Sequence, residues 1–213
     1  MILQKLSLEV RRGATNDVPI RVESSKWGYA SISAMSQSAP LRVTAAGHGI
    51  PDGWRAAVMN ATGGMTSLNA TSNPPRDSDL RPVVRVDADT VEFNAVNAAG
   101  LKAYAGGGQL AFRAPVDLSA YVHARMEVKT EVGGDRLALF ATAGGVSEAT
   151  DGALEIDVAN DALRLRLTPA QAALLVFDAG VFDIELIRAN GDVQPLCTAD
   201  SEFSVLPETT TAE

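Results

Sequence analysis

Val122-His123-Ala124-Arg125-Met126-Glu127-Val128-Lys129-Thr130-Glu131-Val132 decides the fold class. Val122, Ala124, Met126, Val128 and Thr130 alternate with His123, Arg125, Glu127, Lys129 and Glu131. A period of two puts one set on each face of a half-buried strand; a helix would need apolar residues every three or four positions. Gly133-Gly134-Asp135 turns the chain into Leu137-Ala138-Leu139-Phe140, a core strand. Further on, Leu154-Glu155-Ile156-Asp157-Val158 and Leu163-Arg164-Leu165-Arg166-Leu167 alternate around Asn160-Asp161, which reads as a hairpin. Residues 181–187 and 201–205 supply two more strands, the first of them closed by the turn Asn190-Gly191-Asp192. One helical start interrupts this pattern. Thr168 is a good N-cap and Pro169 suits the first helical position, so a short helix is expected over residues 169–175, ending by Phe177.

Toward the N-terminus the same period recurs. Leu6, Leu8 and Val10 face one way and Ser7, Glu9 and Arg11 the other, and Val18-Pro19-Ile20-Arg21-Val22 forms a second strand, with Pro19 favouring an edge. Residues 24–39 are serine-rich and lose the period, leaving Trp27 and Tyr29 as isolated large side chains. From Pro40 to Arg113 short apolar runs alternate with turns: Leu41-Arg42-Val43-Thr44, Gly47-His48-Gly49, Trp54 to Met59, Asn60-Ala61-Thr62-Gly63-Gly64, a hairpin over residues 83–93, and Gly106-Gly107-Gly108 before a last strand. Short strands and frequent turns imply a small barrel or sandwich. The expected class is all-β with one short helix.

Composition narrows the function classes. The chain has 213 residues, 46% of them hydrophobic, so it is long enough for one large or two small packed cores. A formal net charge of −8 argues against nucleic acid as a partner, because phosphate binding needs clustered Lys and Arg. The same charge argues against an anionic membrane surface, and no apolar run is long enough to span a bilayer, so no membrane insertion is expected. The charged residues Glu9, Arg11 and Arg12 leave no room for a signal-peptide apolar region, so synthesis and assembly in a cytoplasm are expected.

Catalytic chemistry finds no constellation. No phosphate-cradling loop and no dinucleotide fingerprint are present, and Gly106-Gly107-Gly108 precedes a strand rather than a helix. Cys197 is the one cysteine and reads as a small buried hydrophobe. His48 lies in a glycine-rich turn and His123 on the polar face of a strand, and a metal site at either would need neighbours such as Asp52 or Asp117 at the right geometry. No Gly-x-Ser-x-Gly elbow accompanies them. Glu155 and Asp157 are two apart on a strand and share its solvated face, with Asp151 nearby. The expectation is a non-enzyme with no catalytic residue, no cofactor and no metal. Trp27 and Tyr29 are the candidate partner-binding residues, since aromatics are enriched among interface anchors, although they could equally cover one end of the core.

Two groups of segments carry a resemblance. Val43-Thr44-Ala45-Ala46-Gly47-His48-Gly49-Ile50-Pro51-Asp52-Gly53, Gly63-Gly64-Met65-Thr66-Ser67-Leu68-Asn69, Val86-Asp87-Ala88-Asp89-Thr90-Val91-Glu92-Phe93 and Tyr104-Ala105-Gly106-Gly107-Gly108 form the first. It resembles the small β-barrel module of phage tail proteins that is similar to the first catalytic-cysteine half-domain of ubiquitin-activating enzymes. The resemblance implies a structural role for these motifs and no catalysis. Pro115-Val116-Asp117-Leu118-Ser119, Ala124 to Val128, Leu167 to Gln171, Phe182 to Leu186 and Phe203-Ser204-Val205 form the second. It is similar to the β-sandwich at the N-terminus of phage baseplate upper proteins. There the opening strands run almost directly into the Pro-x-Asp-Leu-Ser segment, whereas here a long stretch intervenes.

The resemblance therefore implies a discontinuous β-sandwich, residues 1–39 and 113–207, with a small β-barrel inserted over residues 40–112 and a flexible tail at 208–213. The first two strands are too short to fold alone, which also requires them to pair with strands beyond Pro115. The expected function is a structural component of a bacteriophage tail, a baseplate or tail-tip adaptor. Its partners would be other tail proteins and fibres, it would form a homo-oligomer, and it would reside in the virion. The alternative is a glycan- or receptor-binding module of the virion. A cell-wall hydrolase is disfavoured by the missing catalytic constellation.

Overall fold

A computed structural model describes residues 5–208. The described residues are all-β with a single α-helix. In chain order the strands are β1 (Ser7–Arg11), β2 (Asn16–Arg21), β3 (Glu23–Ser31), β4 (Ala34–Met35), β5 (Leu41–Thr44), β6 (Arg55–Met59), β7 (Arg81–Pro82), β8 (Val84–Arg85), β9 (Thr90–Phe93) and β10 (Gln109–Pro115). Then follow β11 (His123–Lys129), β12 (Arg136–Ala141), β13 (Gly152–Asp157), β14 (Ala162–Leu167), the helix α1 (Pro169–Ala173), β15 (Ala179–Ile187), β16 (Val193–Pro195) and β17 (Ser201–Leu206). The chain divides into two compact units, one made of the residues up to Val22 and from Val116 onward, the other of Glu23–Pro115. Apart from Glu208, the expected flexible tail lies outside the described residues. Among the described residues no helix is long and apolar enough to cross a membrane.

The discontinuous unit is built on one sheet, in the order β1-β17-β15-β11-β12-β13-β14-β2, with β16 added beside β15. Its outermost strands are consecutive in sequence and come together, so the sheet wraps almost fully round one core. The N-terminal strands therefore join the C-terminal ones: β1 pairs parallel with β17 (Val10 opposite Val205) and β2 antiparallel with β14 (Ile20 opposite Leu163). Buried Asn16 pins the β1–β2 turn. Its Oδ1 accepts from Arg11 N at 2.8 Å, and its Nδ2 donates to Arg11 O and Ala14 O at 2.9 Å. Alternation on β11 lies as the sequence requires. Ala124, Met126 and Val128 are buried, while His123, Arg125, Glu127 and Lys129 lie on the other face. Phe203 is central to the core, its ring 5.9 Å from Phe140, 6.1 Å from Phe177 and 6.2 Å from Phe182. Helix α1 starts where its cap predicts, with a reciprocal capping box between Thr168 and Gln171, and it ends at Ala173, slightly short of the expected span.

The continuous unit consists of two four-stranded sheets, β3-β10-β6-β7 and β4-β5-β9-β8. Two stretches pass from one sheet to the other, β3 into β4 and β7 into β8, which turns the pair into a small barrel. Trp54, Ile50, Met65, Leu110, Leu41 and Phe93 fill its core. The expected hairpin is β8–β9.

This unit is larger than the insert drawn from the sequence. Residues 23–39, assigned there to the sandwich, belong to the barrel, and so do residues 113–115. The reason is β3. It pairs antiparallel with β10 from Ser31 opposite Gln109 to Glu23 opposite Pro115, so the barrel begins and ends on the same pair of strands. Within the discontinuous unit Val116 N donates to Val22 O at 3.0 Å, so the chain leaves and re-enters that unit at one place. The sequence hides β3 because its inward positions are small. Gly28 faces Phe112 so closely that a Cβ there would lie 2.6 Å from the Phe112 ring, and Ala30 is the next inward residue. The ring of Phe112 fills the space that apolar side chains of β3 would otherwise occupy, so no period-two apolar signal remains.

Candidate partner-binding face

Trp27 and Tyr29 are not isolated. They are two residues apart on β3 and so share its outer face, opposite to the face of Gly28 and Ala30. Trp27 is half-buried and Tyr29 is 46% exposed, and neither is among the residues of the barrel core. The register places Arg113 of β10 directly opposite Trp27 and Ala111 opposite Tyr29. Arg113 lays its guanidinium over the Trp27 ring, 4.1 Å from the centroid, and donates through Nη1 to Ser25 O at 3.1 Å. Its own carbonyl accepts from Trp54 Nε1 at 2.7 Å, which ties the strand beneath it to the core. A cation–π contact of this kind contributes ~0.5–1 kcal/mol at an exposed site.

Glu23, which is buried, closes one end of β3. Arg55 of β6 forks onto its carboxylate, Nε to Oε1 at 2.7 Å and Nη2 to Oε2 at 2.6 Å. Hydrogen bonding to Glu23 raises the Arg55 pKa above its ordinary value, against the opposing effect of burial. Such a bidentate pair is geometrically specific. The outcome is a firm patch: a tryptophan held flat by a guanidinium, an exposed tyrosine beside it, and Ser25, Lys26 and Ser31 exposed around them. Arg113 and the Glu23–Arg55 pair escaped the sequence reading because only the strand register brings them to β3.

The remaining candidates make local contacts. His48 is buried in the 47–53 turn and both ring nitrogens are engaged. His123 Nδ1 lies 3.3 Å from Thr142 Oγ1. Cys197 is buried, and burial pushes its thiol pKa up, away from the thiolate that nucleophilic chemistry needs. Asp151 accepts from Leu139 N at 2.8 Å, Glu155 pairs with Arg166 at 3.0 Å, and Asp157 accepts from Asn160 N at 3.2 Å. The three carboxylates thus serve separate local contacts. Among the described residues no group of three or more His, Cys, Asp or Glu side chains is placed to hold a metal ion.

The chain matches no known family model and no curated protein sequence.

Proposed function

We propose that the chain is a non-enzymatic structural component of a bacteriophage tail, a baseplate or tail-tip adaptor that resides in the virion and contacts neighbouring tail subunits or fibres through the outer face of β3. One observation carries this reading: Trp27, Tyr29 and Arg113 are assembled on one strand pair as a partly exposed patch of the residue types that dominate protein–protein binding energy. The motifs behind the resemblance to tail-protein barrels support it. Asn69 exchanges hydrogen bonds with the backbone of Ala61 at 2.8 and 2.9 Å, Met65 is fully buried, and His48 stitches two turns together, so each does structural work. The wrapped sheet completed by β1 and β2 supports the resemblance to the baseplate sandwich in the same way.

Mass spectrometry of purified tailed-phage particles carrying this chain tests the reading. The chain should be present at a stoichiometry matching a symmetric ring, and Trp27→Ala with Tyr29→Ala should reduce its incorporation while leaving it folded. Absence from particles, or incorporation untouched by the double substitution, counts against it. A glycan-binding role is the second reading, favoured by the exposed ring of Tyr29, and a glycan array separates the two.

A further inference from the structure

The buried His48 uses both ring nitrogens in a way that only one protonation state permits. It is 3% exposed, between Gly47 (φ 58°) and Gly49 (φ 65°), whose left-handed backbone lets the turn bend tightly round it. Ile50 N donates to His48 Nδ1 at 2.9 Å, and His48 Nε2 lies 3.2 Å from Asp87 O. A backbone N–H can only donate, so Nδ1 must carry a lone pair; a carbonyl can only accept, so Nε2 must carry the proton. The imidazole is therefore neutral, in a single tautomer, and bridges the 45–50 turn to the turn between β8 and β9. Two further bonds run across the same gap, Ala45 N to Asp89 O and Gly47 N to Asp89 Oδ1, both 2.7 Å. Ile50, which follows, is fully buried in the barrel core.

We propose that His48 is an acid-sensitive latch of the barrel: protonation at Nδ1 opposes the Ile50 N–H donor with a second donor and releases the 47–50 turn from the β8–β9 turn. A proton on Nδ1 would place two donors 2.9 Å apart and leave a buried cation. The ring can be protonated only if Ile50 N–H moves away or the ring swings out.

The charged groups around the ring fit this. Arg85 on β8 disfavours the imidazolium, while Asp87 favours it through its carbonyl and its carboxylate. The Asp89 carboxylate is engaged by Gly47 N, and that of Asp52 by Arg85 N at 2.9 Å. Burial is the largest influence and holds His48 below the ordinary histidine pKa. Asp87 is held below the usual carboxylate range, chiefly by its hydrogen bond from Asp89 N, so it keeps its charge while His48 titrates.

The sign follows. The open turn takes up a proton more readily than the closed one, so the closed state is fully favoured above about pH 6.5 and loses ground as pH falls below it. Each pH unit below that point raises the ratio of open to closed turn by up to about tenfold.

Amide exchange of Ile50 in the full chain, followed by NMR from pH 7.5 to 5.0 and corrected for the intrinsic exchange rate, tests the latch. In the wild type, protection should fall by up to about tenfold per pH unit below about 6.5. His48→Asn puts a non-titrating oxygen where Nδ1 sits and can accept from the residue two positions on, as asparagine does in turns, so its protection should stay flat. His123→Gln should keep the wild-type acid response. Flat protection in the wild type, or an equal loss in His48→Asn, overturns the proposal. Should His48→Asn fail to fold, the wild-type ring nitrogen shifts decide: an imidazolium coexisting with a protected Ile50 amide overturns it, and an unprotonated Nδ1 at pH 7.5 with joint loss of both signals on acidification supports it.

Discussion

Excision of the inserted unit tests the architecture most directly. Residues 23–115 are replaced by a four-residue Gly-Ser linker. Val22 O and Val116 N are 3.0 Å apart in the intact chain, so the linker has no distance to span. Were the insert a slack loop, shortening roughly ninety residues to four would be between four and five halvings and would stabilise the remaining unit by about 3 kcal/mol. The insert is not slack. Glu23 and Pro115 are already paired within it, so its folding has closed the loop and excision should change the stability of the large sheet by less than ~1 kcal/mol. Deleting residues 1–22 should do the opposite. It removes Leu8, Val10, Ile20 and Val22 from the core, each worth ~1.5–3 kcal/mol when fully buried. The total of roughly 6–12 kcal/mol rivals the whole stability of an ordinary domain. Urea denaturation provides the assay, and the tryptophans make it selective. Trp27 and Trp54 both lie in the insert, so tryptophan fluorescence reports that unit alone, while circular dichroism reports both. The excised protein, without tryptophan, should melt by circular dichroism with a smaller m-value, in keeping with its smaller buried area. An excised chain that does not fold, beside an N-terminally truncated chain that does, would overturn this architecture.

Two other substitutions probe the core and the thiol. Phe203→Ala removes the ring on which Phe140, Phe177 and Phe182 converge and should cost ~3–5 kcal/mol in urea denaturation, whereas a loss under about 1 kcal/mol would mean that the three rings close over the gap. Cys197, buried and with its thiol pKa raised, should resist alkylation in the native chain at pH 8 and react once urea unfolds the discontinuous unit; rapid native labelling would contradict its placement.

Features that depend on neighbours along the chain were legible in the sequence. Alternation from His123 to Lys129 sets which face of β11 is buried, because successive side chains on a strand must point to opposite sides. Thr168 and Pro169 start α1, because a side-chain oxygen and a ring-fixed φ act on the adjacent backbone alone. The shortness of the first two strands forces them to seek partners beyond the insert, as β17 and β14 are. Tertiary structure alone decided what depends on register. Strand β3 carries no apolar period, since Phe112 reaches across to fill the space over Gly28, and so the barrel's boundary at Glu23 lay hidden. The candidate face has the same origin. Trp27 and Tyr29 were visible as aromatics, but Arg113 is 86 positions from Trp27 in the chain and meets it only because two antiparallel strands align at that residue. His48 is a lone histidine in a glycine turn until Asp87, from a different hairpin, supplies the carbonyl that fixes its tautomer. Contacts between residues far apart in sequence follow from the pairing of whole strands, and a pattern read along the chain contains no record of that pairing.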